Sequence, residues 1–321
     1  MVRDDSTTGV RRVQSGVAGW FDAERLAGRF ASRDTSIDWV RTVPYIAFHV
    51  ACLGVIWVRW SWAAVVVASA LYLARMFAIT GFYHRYFSHK SFRTSRAFQF
   101  VMAVWGASSV QRGPLWWAAH HRHHHQHSDD DADWHSPTRR GFWFAHMGWF
   151  LTKGAFATQT KYIRDLLRFP ELRFIDRFDW LVPLLLAIGT YGLGALLERE
   201  APGLGTSGPQ MLVWGFFVST VVNFHATYTI NSLSHVFGRR RFATRDTSRN
   251  NWLLALITLG EGWHNNHHHF SASTRQGFYW WEIDVTYYLL TMMSWVRLVW
   301  DLKPVPPQAL TRSRIDGAAS A

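Results

Sequence analysis

Four apolar runs in two close pairs, at 43–58, 62–82, 180–197 and 211–230, limit what this chain can fold into more than any other feature. Each is near the roughly 20 residues that a helix needs to cross a bilayer. In lipid the backbone must satisfy its own polar groups, so such runs are helical. The first pair is separated only by Arg59, Trp60 and Ser61, which makes the two runs antiparallel neighbours. The second pair flanks ERE and APGLGTSGPQ, a Gly/Pro turn region. The expected fold class is an all-α integral membrane protein with two transmembrane hairpins, four spans in all, and a helical cap on one face. Trp20, Phe21, Trp39 and Tyr45 are suited to seat the first span at the interface. Arg75 within the second run must either snorkel to the near end or line a polar cavity.

The charge pattern orients the spans. The net charge is +12, and a mean hydropathy of -0.07 leaves room for a large water-facing part. Basic residues are dense in 1–42, 83–179 and 236–251 and nearly absent from the two hairpin loops. The positive-inside rule then places the histidine-bearing loops and both termini in the cytoplasm. No basic repeat or zinc-finger spacing points to nucleic acid. An anionic lipid surface or an anionic substrate head group suits the charge better. Cys52 is the single cysteine, so an intramolecular disulfide framework and a cysteine-ligated zinc site are excluded. No apolar signal-peptide run follows the N-terminus. The division expected is a polar, partly disordered segment at 1–40, one membrane domain at 41–303 and a disordered tail at 304–321.

Histidines crowd the cytoplasmic loops. Seven of 17 lie in Trp117–His135, WAAHHRHHHQHSDDDADWH. Imidazole is the commonest transition-metal ligand. The H-x2-H-H pattern puts three rings on one helical face in either of two registers, His120/His123/His124 or His121/His124/His125, and the pattern does not choose between them. EGWHNNHHHF repeats the spacing at His264, His267 and His268; His269 has no partner four residues back. Asn231 and His235 are i, i+4. His84 and His89 point about 140° apart on a continuous α-helix, so they converge only where the helix bends or breaks. Asp129 and Asp130 read as solvated loop residues; Asp133 suits a loop or a seat behind an imidazole equally well. His146, in an interfacial amphipathic stretch at 139–153, and His225, deep in the last run, read as packing residues.

An H-x4-H, two H-x2-H-H boxes and an N-x3-H on one side of the membrane resemble the membrane-bound fatty acyl-CoA desaturases, the stearoyl-CoA Δ9 type in particular. The resemblance rests on GFYHRYFSH, HHRHHHQHSDDDADWHSP, RRGFWFAHMGW, NSLSH and EGWHNNHHH and covers roughly residues 40–300. In that family the first histidine of box two is followed by arginine, which selects His121/His124/His125. The resemblance implies two iron ions, one held by His84, His89, His121, His125 and His267, the other by His124, His235, His264 and His268, with Asn231 acting through water. It implies insertion of a cis Δ9 double bond into a saturated long-chain acyl thioester, using O2 and two electrons. Trp117 matches a tryptophan near the head of the acyl chain, and Ala68 and Tyr72 on the second span are candidates for the floor of its tunnel. Ala119 and His120 stand where animal members have Arg-Asp, which removes part of the expected contact to a CoA phosphate. No cytochrome b5-like extension is visible, so a separate donor is implied, of ferredoxin or cytochrome b5 type with an NAD(P)H reductase. A bacterial cytoplasmic membrane is the expected location. A membrane di-iron hydroxylase acting on alkanes or fatty acids and a His-rich metal transporter are the alternatives.

Overall fold

A computed structural model describes residues 21–24 and 34–315. Most of the segment at 1–40 expected to be partly disordered lies outside the described residues, as do Trp20 with its interfacial role and the end of the tail. The described chain is mostly helical, and its strands are one short pair, Arg93–Thr94 antiparallel to Val299–Trp300. That pair fastens the segment after the second apolar helix to the C-terminal region.

Among the described residues, three helices are long and apolar enough to cross a membrane: Trp39–Val58, Trp62–Ser88 and Leu181–Glu200. The fourth expected run forms an unbroken helical stretch from Gly208 to Asn231, through a π-helical segment at Leu212–Val218. It carries Asn223, His225 and Thr227 and is not among the three. Side chains such as Val50, Ile56, Trp57, Val66, Leu185, Ile188 and Leu196 remain exposed on these helices. Apolar surface of that extent is what lipid covers.

Local chemistry sets the ends. Asp38 accepts from the Val40 amide, Ser61 from Ala64 and Ser207 from Gln210, each closing an open helix N-terminus. Ser61 also donates to Gln210 Oε1 at 2.7 Å, and Gln210 Nε2 donates to the Val58 carbonyl at 2.9 Å, so the first hairpin's turn is pinned to the second hairpin. A Cβ on Gly194 would lie 2.3 Å from the Ser207 carbonyl oxygen, which is why that crossing needs glycine.

Arg75 does not snorkel. It is 1% exposed and donates to the carbonyls of Leu71 and Ser108 and to the hydroxyls of Ser219 and Thr220. It thereby joins the second helix to the fourth. A string of three imidazoles makes a parallel tie. His49 meets His225 at 3.0 Å, His225 meets His146 at 3.0 Å, and His146 meets Ser232 Oγ at 2.9 Å. The string bolts the 144–148 segment to the first and fourth helices.

The expected disorder of the tail is corrected for its described part. Pro307–Thr311 is a helix, Ala309 is buried, and the Ala309 carbonyl accepts from His269 Nε2 at 2.8 Å. Ala243 and Ile315 amides donate to Ser313 and Arg241 carbonyls. Proline-rich polar sequence without periodicity gave no local sign of order; the order comes from partners far away in the chain.

Candidate metal centre

The first histidine pair is solved by a change of helix type. From Ala78 to Ser88 the second helix widens to π geometry, and the His89 amide bonds the His84 carbonyl at 3.2 Å. In an i→i+5 helix, residues five apart stack as residues four apart do in an α-helix. The rings of His84 and His89 therefore meet, with centroids 4.9 Å apart. No bend is needed, only a wider turn.

Box two lies on the helix Pro114–His127. His121, His124 and His125 face the box-one histidines and the His264–His269 helix. His120 turns instead to Trp116 and Trp149, and His123 to His127 and Tyr162. Arg122, between them, donates to the Phe87 carbonyl at 2.5 Å and the Ser88 carbonyl at 2.9 Å while pairing with Asp165. It caps the end of the π-helix and so clamps box one to box two.

The helix start has its own logic. Gly113 offers no capping side chain, and Asp176 from the helix Pro170–Arg177 reaches across to accept from the Trp116 amide at 2.8 Å. A Cβ on Gly113 would lie 2.4 Å from Asp176, so glycine is required there. Burial pushes the Asp176 carboxyl up to about 6 against the pull of the Trp116 amide and Arg112. Its protonated form is favoured in the fold. That preference is fully present below the unfolded value of 3.8 and is lost as pH rises through about 6. Asp176→Asn keeps the acceptor and removes the buried charge. It is expected to be more stable than wild type by about 3 kcal/mol at pH 8 and nearly equal to it near pH 4 in detergent thermal-denaturation scans. A variant less stable at pH 8 contradicts this account.

Two groups of imidazoles result. In one, His84, His89, His121, His125 and His267 bring ligand nitrogens within 4.8 Å of one another; in the other, His124, His235, His264 and His268 do so. Contacts between Nε2 atoms are 2.8 Å for His89–His121, 2.9 Å for His267–His125, 3.0 Å for His84–His267 and 3.1 Å for His235–His264. Nitrogen lone pairs aimed at one another call for a cation. Carboxylates on the far side fix the ring orientation, and this supports a metal site directly. Asp133 holds His124 Nδ1 at 3.0 Å, Asp129 holds His235 Nδ1 at 3.2 Å, and Asp246 holds His268 Nδ1 at 2.6 Å. Glu261 holds His84 Nδ1. With Nδ1 occupied, Nε2 is left to coordinate, and His268 Nε2 is buried with no partner. The fit to a metal is good on these grounds.

Electrostatics agree. Burial and neighbouring rings hold His89, His121, His125, His264 and His267 well below the ordinary histidine range, so these rings are neutral donors. His124 is buried too, yet Asp133 lifts it above its usual value. Asp133 and Asp246, despite burial, are held far below the usual carboxylate range by the imidazoles they face. Three aspartates back the second group, whereas Glu261 in the first also pairs with Arg85.

The reading of Asp129 as a solvated residue is corrected. Its side chain accepts from Thr247 N and Oγ1, each at 2.7 Å, besides contacting His235. Asp130 does lie exposed beside His127. Sequence reasoning also missed Asp246, Glu261, Arg85 and Gln276. Glu261, three residues before His264, carried a local signal; Asp246, inside a basic loop, carried none.

Two cavities meet at this cage. The larger, about 220 Å³, runs between the first and fourth helices and the cap, past Tyr45, Phe48, Phe224 and Tyr228, with Arg41 and Arg112 also in its wall. The smaller, about 40 Å³, is lined by Met76, Ile79, Thr80, His84, His124 and His264 among others. Trp117, His121, Thr227 and Asn231 line both. Trp117 stacks on His121 with centroids 5.0 Å apart. Ala68 and Tyr72 line neither cavity, which corrects their expected role as the floor. Ala68 is buried in helix packing, and the Tyr72 hydroxyl bonds the Ile257 carbonyl. The second helix meets the cavity one or more turns further along, at Met76, Ile79 and Thr80.

A helical protein with membrane-length apolar helices and a carboxylate-backed histidine cage beside an apolar cavity is, by class, a membrane metalloprotein. The chain belongs to the fatty acid desaturase family, which it matches over residues 60–298. It is 37% identical over 255 residues to a chloroplastic palmitoyl-monogalactosyldiacylglycerol delta-7 desaturase of Arabidopsis thaliana, covering 78% of this chain and 65% of that one. It is 34% identical to an sn-1 stearoyl-lipid 9-desaturase of Anabaena variabilis, covering 85% and 96%. An acyl-CoA 5-desaturase of Anemone leveillei is 37% identical, with 86% and 83% covered. Membership makes the chain an oxygen-dependent oxidoreductase of lipid metabolism.

Proposed function

We propose that this chain inserts a cis double bond, at Δ9, into a saturated long-chain acyl thioester in the bilayer. Two irons would be held as the two imidazole groups divide: His84, His89, His121, His125 and His267 for one, His124, His235, His264 and His268 for the other, with Asn231 acting through water. The single observation that carries the reading is the pair of cavities meeting at Trp117 and Asn231 beside the cage. When bound, the irons supply the oxidising power, drawn from O2, that removal of hydrogen from an unactivated methylene requires. The side chains do the rest. Trp117 and His121 present a flat wall against which one stretch of chain rests. Thr227 and Asn231 bound the passage between the cavities and force the chain to bend there. Tyr45, Phe48, Phe224 and Tyr228 exclude water, and Arg41 and Arg112 supply positive charge at the wall of the larger cavity. Fixing one methylene against the cage sets regiochemistry by position. Four spans with the cage and both termini on the cytoplasmic side of a bacterial membrane complete the proposal; the charge distribution supports it.

The test is fatty acid profiling of vesicles carrying the full chain, O2 and an electron donor, fed saturated acyl-CoA in one arm and saturated glycerolipid in the other. A cis-Δ9 monoene from acyl-CoA is the expected product. Product only in the lipid arm overturns the thioester assignment, and hydroxylated product overturns desaturation. Ile79→Ala, which opens the floor, is expected to raise the ratio of longer to shorter products several-fold. An unchanged ratio contradicts the assignment of that floor.

A further inference from the structure

The second helix has another apolar neighbour, away from the cage. A groove of about 610 Å³ runs between it and the helices Arg96–Ala107 and Val285–Trp295, and every side chain lining it is apolar. Leu73, Ala74 and Phe77 form one wall, and Leu289, Met292 and Met293 face them. The groove shares no lining residue with the two cavities at the cage. Its depth follows from the second helix. Trp60 and Trp62 are exposed at the start of that helix, where aromatic rings mark an interface. Tyr72 lies about 15 Å further along at the α-helical rise, half of a hydrocarbon core of roughly 30 Å. The Tyr72 hydroxyl donates to the Ile257 carbonyl, so the end of the helix Trp252–Ile257 reaches the same depth. Backbone at that depth must be satisfied within the protein. The carbonyls of Leu254, Ala255, Leu256 and Leu259 accept from the amides of Thr258, Gly260, Leu259 and Thr286, respectively. Neither 252–260 nor 285–296 contains a charged residue, and Leu253, Leu256, Ile257, Met292 and Val296 are exposed.

We propose that this groove is a lipid site, holding one tail of an intact anionic phospholipid against the second helix. The wall from Leu73 to Phe77 lies about 17 to 23 Å from Trp62, inside the hydrocarbon layer, so its occupant is hydrocarbon. The head belongs at the other end. Arg297 stands between Val296 and Leu298, which both line the groove. It is exposed and has no ion-pair partner among the described residues. Thr94 Oγ1 donates to the Leu298 carbonyl at 2.7 Å, which places this end beside the segment that follows the second helix, on the water side. An unpaired cation at a headgroup-level rim attracts an anionic lipid. Phe77 and Leu259 line the groove while their chain neighbours Met76 and Thr258 line the smaller cavity, so the two spaces stand back to back. A bound tail thus packs the outer side of the helix that carries His84 and His89, apart from any chain at the cage. The proposal needs the second helix in lipid; it needs neither desaturation nor a particular acyl substrate.

The experiment uses the full chain in phosphatidylcholine vesicles doped with phosphatidylglycerol that carries a diazirine in the middle of one tail. After photolysis, peptide mass spectrometry maps the labelled residues. Label is expected to concentrate on Leu289, Met292 and Met293, above its level at Leu185 and Ile188, which are exposed on another membrane-length helix. Arg297→Glu is expected to lower the groove label about fivefold or more and to leave Leu185 and Ile188 unchanged. Met292→Trp, which fills the groove from an exposed position, should do the same. The proposal is overturned if the groove is labelled no more than Leu185 and Ile188, or if the same diazirine on phosphatidylcholine labels it as strongly. It is also overturned if either variant leaves the groove label unchanged or lowers label at all positions alike. Added saturated acyl-CoA should not compete; if it does, the groove belongs to the substrate's path and the proposal falls while the desaturase reading stands. No label at any of these positions removes the membrane placement, and this proposal with it.

Discussion

Replacing His264 by alanine is expected to lower unsaturated product by at least about 100-fold, since even the partners behind metal-bound histidines are worth 10–100-fold. His264 is buried at 3% exposure, its Nε2 lies 3.1 Å from that of His235, and it also lines the smaller cavity. One of four rings in the second group is lost, and no neighbouring side chain replaces it. Iron per purified chain should fall by up to half, because the five-ring group is untouched. His123→Ala is the matched control. His123 comes from the same run of histidines as box two but packs on His127 and Tyr162, outside both groups. It should keep its iron. Fatty acid profiling together with elemental analysis reads both quantities. Full product from His264→Ala contradicts the assignment.

Arg85→Met is expected to have the largest effect on stability. Arg85 is 1% exposed and holds Asp284 at 2.9 Å, Glu261 at 3.2 Å and the Thr274 carbonyl at 2.8 Å. Removing it strands two buried carboxylates, and breaking a buried pair in this way costs about 3–5 kcal/mol. Burial pushes Glu261 up, but His84 and Arg85 outweigh it and hold the carboxyl below its usual value. In the variant the Arg85 part of that hold is gone, so burial weighs more and the Glu261 carboxyl moves up towards its protonated form in the fold. A group raised in this way gives its stability at low pH and loses it as pH rises. The deficit should therefore be large at pH 8 and narrow towards about pH 5. Thermal denaturation in detergent across that range is the check; a deficit that widens on acidification contradicts it. Because Glu261 also orients His84, the variant should bind iron weakly even where it folds.

Much of this arrangement was legible in the residues. Run length and apolar composition made the helical class and three membrane-length helices legible, because lipid allows few ways to bury a backbone. The spacing of His121, His124 and His125, and of His264, His267 and His268, matched one helical face each. What was not legible depends on contacts between distant segments or on unusual backbone. The π-helix that aligns His84 and His89 has no composition signal. Asp129 and Asp246 became partners of imidazoles only because loops far apart in sequence meet. Arg75 found hydroxyls on another helix rather than the bilayer surface. The smaller cavity reaches the second helix at Met76 and Ile79 rather than at Ala68 and Tyr72; the Tyr72 hydroxyl is engaged by a carbonyl from residue 257. The described tail is ordered by the carbonyl contacts it makes with His269 and Arg241.

Anomalous scattering at the iron edge from crystals of the purified, iron-loaded chain tests the central claim most directly. Two peaks are expected, one ringed by His84, His89, His121, His125 and His267, the other by His124, His235, His264 and His268. A single peak, or peaks seated away from these two groups of rings, would contradict it.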